Sequence, residues 1–222
     1  MNELFAFLTE LRANNNRDWF KANEAEYKRV KVHFEGFVEA LARAIAEFDS
    51  SVVPGPAKNY VFRIFKDVRF SKDKSPYKTH FGAFISPGGR KSPYAGYYLH
   101  LEPGASFLGG GIYGPDTTLL KALREEVVDN AAEFRELLED TEFKALFGGL
   151  SGERLVNVPR GFPKDHEASD LIKHKHFVVM HATADAFWSQ EDALERTARV
   201  FEQQHPFNSW LNQVVQGMEG QG

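Results

Sequence analysis

Hydrophobic positions in the first fifty residues recur every three or four places. Leu4, Phe7, Leu8 and Leu11 predict a helix over residues 3–12. Asn14-Asn15-Asn16 stops it and offers caps for the next. Phe20, Tyr27, Val30, Phe34, Phe37, Leu41, Ile45 and Phe48 then predict a long amphipathic stretch over 17–48, with a break expected near Tyr27. Val53-Pro54-Gly55-Pro56 closes it as a loop. From Tyr60 to Tyr113 the period falls to two, which predicts strands over 60–65, 80–86, 95–102 and 105–113. Pro115-Asp116-Thr117 reads as a helix start, and helical spacing runs to Gly148-Gly149. Residues 150–170 are mixed, with a loop at Pro159, Gly161 and Pro163, and 176–182 reads as a further strand. Ser189-Gln190-Glu191-Asp192 resembles a capping box opening a helix that Pro206 interrupts. A last helix sets Phe207, Trp210, Leu211, Val214, Val215 and Met218 on one face, and 217–222 is a fraying tail.

Helices therefore flank a block of consecutive strands. Short connections favour antiparallel pairing, so the expected fold is α+β: a single domain over residues 1–222 whose central, mainly antiparallel sheet has about five strands, with helices packed on one face.

Pro103-Gly104 fits a two-residue turn, proline presetting φ and glycine supplying φ > 0. Such a turn pairs His100 with Phe107, Tyr98 with Gly109 and Gly96 with Gly111 on one sheet face. Leu99, Leu101, Leu108 and Ile112 go to the other, suited to cover by helices. Tyr98 and His100 then stand beside a floor of glycines, which mark close approach of a ligand or another backbone, or else a bulge. Alternation adds His80 and Gly82 to that face, opposite the apolar row Phe81, Ala83 and Ile85. Arg63 alternates away from Phe62 and Ile64, and pairing in one sheet would bring Arg63, His80, Tyr98 and His100 together.

Composition narrows the chemistry. A chain of 222 residues folds without staples, and twenty phenylalanines imply a largely aromatic core. With no cysteine, disulfides, thiol nucleophiles, Cys-ligated zinc and iron–sulfur clusters drop out. The first residues lack the basic, apolar pattern of a signal peptide, and no stretch approaches a membrane span, so a soluble cytoplasmic protein with no membrane partner is expected. Net charge is −4, yet residues 58–91 hold nine basic and two acidic side chains, leaving −11 on the rest. A local cationic site in an acidic protein suits a defined anion better than a long polyanion.

The densest polar run spans Arg63 to His80. Arg63, Arg69, Lys74 and Lys78 are candidate anion contacts, Asp67 and Asp73 would position them, and Tyr77 and Tyr98 would orient a ligand beside Gly109 and Gly111. The competing reading is a solvated loop of local ion pairs, and the run is no known phosphate-loop motif. His80 and His100 are the candidate acid–base groups. His174 and His176, two apart with His166 upstream, would need His80 or His100 to complete a metal site; no H-E-x-x-H spacing supports one, so no metal and no cofactor is expected. Ser71, Ser75, Ser86 and Ser106 lack a G-x-S-x-G setting. Trp19, Trp188 and Trp210 read as core, and the same is expected of Tyr94, Tyr97 and Phe84 over base stacking.

Asn14-Asn15-Asn16-Arg17-Asp18-Trp19-Phe20 resembles the opening N-N-N-R-x-W-F of the domain of unknown function 2461 family. The run from Phe62 to Ala83, the segment Gly96-Tyr97-Tyr98-Leu99-His100-Leu101-Glu102-Pro103-Gly104, Gly109-Gly110-Gly111 and Lys173 to Val178 fit in the same order. Lys66 stands where arginine is more usual. The resemblance covers nearly the whole chain and implies a compact α+β domain, with no activity, cofactor or catalytic residue attached to it.

The leading expectation is thus binding, with turnover open, of a small anionic, plausibly phosphorylated ligand. It fails if Arg63 and His80 lie on opposite sheet faces with no pocket between them. A protein-interaction module would present a broad, flat basic surface instead. A nucleic-acid binder would need a continuous basic groove, and the net charge counts against it.

Overall fold

The computed structural model describes residues 1–69 and 72–220. Three N-terminal helices come first: α1 (Asn2–Ala13), α2 (Arg17–Ala22) and α3 (Glu24–Phe48). Each asparagine of the triplet has a separate task. The Asn14 side chain donates to the Glu10 carbonyl at the end of α1. Asn15 clamps the backbone of Tyr77 through its amide nitrogen and oxygen. Asn16 caps α2 by accepting from Trp19 N–H. The break in the second helical stretch falls at Asn23 and not at Tyr27, because Asn23 ends α2 and starts α3. Val30, Phe34, Val38, Leu41 and Ile45 form the buried stripe of α3.

The sheet is β1 (Phe81–Ile85), β2 (Gly96–Leu101), β3 (Phe107–Ile112) and β4 (Phe177–Ala182), in that order and antiparallel throughout. The expected count of about five strands is corrected to four among the described residues. Residues 60–65 touch β1 only at the Val61–Ala83 bridge, then leave to pair Phe65 with Tyr77. One segment thus splits its hydrogen bonds between two partners and builds no ladder with either. The turn at Pro103-Gly104 is as expected: Ala105 N–H bonds the Glu102 carbonyl and Gly104 has φ +75°. The register follows, with His100 on Phe107, Tyr98 on Gly109 and Gly96 on Gly111.

Beyond the sheet lie α4 (Thr117–Asp129), α5 (Ala131–Glu139), α6 (Thr141–Phe147), α7 (Asp185–Trp188) and α8 (Ala193–Glu219). Asp116 caps α4 by accepting from Thr118 and Leu119, and Gly148, at φ +68°, ends α6. Two expectations at the C-terminal end are corrected. Ser189 is no N-cap: it closes α7 and its hydroxyl donates to Asn2. Pro206 lies inside α8 without ending it. An interior proline costs about 3 kcal/mol, but Phe201, Phe207, Trp210, Leu211 and Val215 on its two sides are all buried in one core. Burial at ~1.5–3 kcal/mol per large side chain outweighs that cost. Of the tail, Gln221 and Gly222 lie outside the described residues.

Helices α3 and α8 cover the apolar face of the sheet, where Ala83, Ile85, Leu99, Leu101 and Leu108 are buried. Trp188 and Trp210 are core and Trp19 packs against it. No helix among the described residues is long and apolar enough to cross a membrane.

Candidate functional site

The other sheet face opens into a cleft of about 900 Å³. Its floor follows from strand alternation. Phe84, Tyr98, His100 and Val178 point into it from β1, β2 and β4, joined by Met180 and, across from His100, Phe107. The rim comes from far along the chain: Phe62 and Tyr94 on one side, Tyr113, Pro115 and Leu119 at the start of α4 on another, and Ser151-Gly152 opposite. Mainly aromatic and aliphatic walls thus lead to a polar end where Lys78, His80, Tyr98 and His100 meet, and Arg90 and Asp116 also line the cleft.

At that end the hydrogen bonds form a chain. Glu102 Oε2 lies 3.1 Å from His100 Nε2, and His100 Nδ1 lies 3.1 Å from Tyr98 Oη. Glu102 Oε1 accepts from Thr79 Oγ1 at 2.8 Å and from Arg12 Nη2 at 3.0 Å. The ring of His80 lies 4.2 Å from that of His100, centroid to centroid. Gly82 makes room for the chain, since a Cβ there would sit 3.0 Å from Tyr98 Oη.

Burial governs the charges. It pushes His80 down to about 4, with the neighbouring His100 adding to the effect, and it lowers His100 against the opposing pull of Glu102. Both imidazoles are therefore free bases at neutral pH. Burial and the Glu102 charge push Tyr98 up to about 12. For Glu102 burial acts upward, but bonds from His100 and Thr79 prevail and hold it below its ordinary value. Lys78 is half-buried, 5.6 Å above the Phe62 ring centroid, and burial followed by Arg63 lowers its pKa. Among the described residues no carboxylate pairs with it.

Of the candidate site residues, His80, Lys78, Tyr98, His100 and Gly111 line this cleft, as do Phe84 and Tyr94, which were expected in the core. The other candidates do not. Arg63 is exposed and outside the lining, although close enough to depress Lys78. Arg69 forks onto Asp67, Lys66 pairs with Asp73, and the Lys74 ammonium donates to the Val68 carbonyl. The basic loop is braced by its own carboxylates and carbonyls; the Lys66 bond and two from Ser75 hold Asp73 at about 2. Tyr77 is buried, its ring stacked on Phe20 at 3.9 Å and 12°, so it serves the core and is not part of the cleft lining. Gly109 answers to another backbone: a Cβ there would meet the Val179 carbonyl at 2.3 Å. Phe70 and Ser71 lie outside the described residues.

His174 is buried and His176 stacks on Tyr113 while accepting from Gly114 N–H, so neither joins His80 or His100. The partner that sequence reasoning missed is Glu102. The signal was present: Glu102 stands two residues after His100, hence on the same face of an extended chain. Arg90, at the rim, was counted only as charge.

The family model described as "Conserved hypothetical protein (DUF2461)" matches residues 3–210, and the chain belongs to that family. Neither the curated proteins nor the solved structures return a match.

Proposed function

We propose that this member of the DUF2461 family binds a small molecule with a flat apolar body and an acidic group, carboxylate or phosphate, at one end. The observation that carries this is the half-buried Lys78 ammonium, which no carboxylate of the described residues pairs, at the polar end of a largely apolar cleft. Its volume falls in the range of ordinary ligand pockets, ~300–1,000 Å³. A desolvated cation gains most from an anion that enters with it, and here the anion must come from the ligand. Phe62, Phe84 and Tyr94 supply surfaces for a ring. His80 and the Tyr98 oxygen supply hydrogen bonds, since both nitrogens of His100 are engaged by Tyr98 and Glu102. A broad basic docking surface has less support, because the loop cations Lys66 and Arg69 are paired with Asp73 and Asp67.

Thermal unfolding against a panel of aromatic and heterocyclic carboxylates and phosphates tests this. A ligand at ~100 times its Kd adds about 2.7 kcal/mol of stability. Lys78→Ala, checked for an unchanged fold, is expected to weaken binding by roughly tenfold to a hundredfold, the worth of one charged hydrogen bond of ~1.5–3 kcal/mol. Equal affinity for the acid and its uncharged amide, or equal binding by the variant, would remove Lys78 from the site and the reading with it.

A further inference from the structure

We propose that His80, His100 and Glu102 form a binding site for a divalent first-row transition-metal ion, best suited to zinc, at the polar end of the cleft. This goes beyond ligand binding and does not depend on it.

One donor atom from each of the three residues lies within 4.8 Å of the other two. A tetrahedral zinc site with bonds of ~2.0–2.2 Å sets its donors roughly 3.4 Å apart. The His100 Nε2 to Glu102 Oε2 separation of 3.1 Å is close to that already. His80 has to turn a short way; no hydrogen bond among the described residues fixes its ring, which rests against that of His100 at 4.2 Å. The backbone presents the set. Extending the β1–β2 register by one pair beyond Phe81–Leu101 places His80 opposite Glu102, with His100 on the same face. His100 is on strand β2, and His80 and Glu102 stand one residue beyond the paired ends of β1 and β2; a strand holds a donor more firmly than a loop does.

The outer atoms of two of these ligands are also tied down. Thr79 and Arg12 hold the second oxygen of Glu102, and Tyr98 Oη meets the second nitrogen of His100. Metal-binding histidines and carboxylates are oriented by such partners. Two imidazoles and one carboxylate suit zinc, iron, cobalt or nickel and not calcium or magnesium, which take oxygen ligands. Three protein ligands leave a position open, and His80 and His100 both line the cleft, so that position faces it. Without metal, a proton on His100 Nε2 bridges to Glu102. Metal binding at Nε2 moves that proton to Nδ1, where Tyr98 Oη becomes the acceptor and its own hydrogen turns away. No proton is gained or lost.

The test is calorimetric titration of the chelator-treated full chain with Zn²⁺, and with Co²⁺ followed by visible absorption; Mg²⁺ and Ca²⁺ serve as controls. One equivalent of Zn²⁺ is expected, with Co²⁺ giving the absorption of a low-coordinate site and the controls giving none. Losing the ligand His80 is expected to weaken binding by more than the ~10- to 100-fold typical of an outer partner. His80→Ala tests this, and His80→Asn repeats it with a side chain that keeps part of the volume; thermal unfolding checks both folds. Tyr98→Phe should keep the stoichiometry and weaken binding by about tenfold. Absence of stoichiometric uptake by the wild type, or unchanged affinity in a folded His80 variant, overturns the proposal. The titration contains no organic ligand, so a negative result leaves the cleft reading standing, and a silent ligand panel leaves the metal site standing.

Discussion

Gly111→Ala is expected to lose about 4 kcal/mol of stability or more, a large share of the roughly 5–15 kcal/mol that holds a typical domain folded. Two independent penalties act at this position. Its φ is +102°, where a side chain is strained. An added Cβ would also stand 2.1 Å from the Phe177 carbonyl oxygen and 2.9 Å from the Phe207 ring. The first obstacle is backbone of the neighbouring strand, so relief requires β3 and β4 to separate. The second belongs to α8, which covers the sheet. Urea unfolding followed by circular dichroism measures the loss. Gly36→Ala is the control. Gly36 is exposed in the interior of α3, and an added Cβ would meet nothing within 4 Å, so alanine there should add about 0.5–1 kcal/mol. Gly111→Ala with stability near wild type would mean that β3 and β4 approach less closely than these distances require.

Asp49→Asn is expected to remove much of the acid sensitivity of the fold. Asp49 is buried, and burial by itself would raise its pKa. Bonds from His205, Ser51 and Tyr97 prevail and hold it at about 2, below its ordinary 3.8. Tyr97 Oη donates to Oδ2 at 2.8 Å, and His205 Nδ1 lies 3.5 Å away. A carboxylate with a depressed folded pKa stabilises fully above its unfolded pKa and stops doing so as pH falls through the folded one. The wild type should therefore lose about 2 kcal/mol from this group between roughly pH 4 and pH 2. The asparagine variant should start lower at neutral pH and show a flatter profile over that window. Asp49→Ala, which leaves the buried Tyr97 hydroxyl with only His205 Nδ1, at 3.1 Å, of the two partners named for it, should cost about 3 kcal/mol at pH 7. Parallel pH profiles for wild type and Asp49→Asn would place the acid sensitivity elsewhere.

The polar end of the cleft was partly legible beforehand because it depends on local rules. A Pro-Gly turn sets one register, the register sets which residues face each other, and alternation then groups His80, Tyr98 and His100. Glu102 was open to the same argument and lies at the corner of the turn, where alternation is easily discounted. The apolar walls were not legible. Ser151 and Met180 reach the cleft only because β4 returns to β3 from some seventy residues away, and Tyr113 and Leu119 reach it from the chain that follows β3.

What the sequence determined alone is what short-range chemistry controls. Periods of 3.6 and 2, caps at Asn16 and Asp116, and Gly104 and Gly148 at positive φ set the helices, the antiparallel hairpin and its two faces. Tertiary structure decided where competing partners exist. Residues 60–65 have strand pattern but divide their hydrogen bonds between β1 and Tyr77, so the fifth strand is absent. Pro206 carries a local penalty that burial on both sides of it overrides. Lysines and arginines of one basic run look alike in sequence. Asp67 and Asp73 take up Arg69 and Lys66, while the path of the chain after Tyr77 turns Lys78 alone of the four candidate cations into the cleft. Charge is a property of the residue, but whether it is neutralised depends on which neighbours the fold brings within a few ångströms.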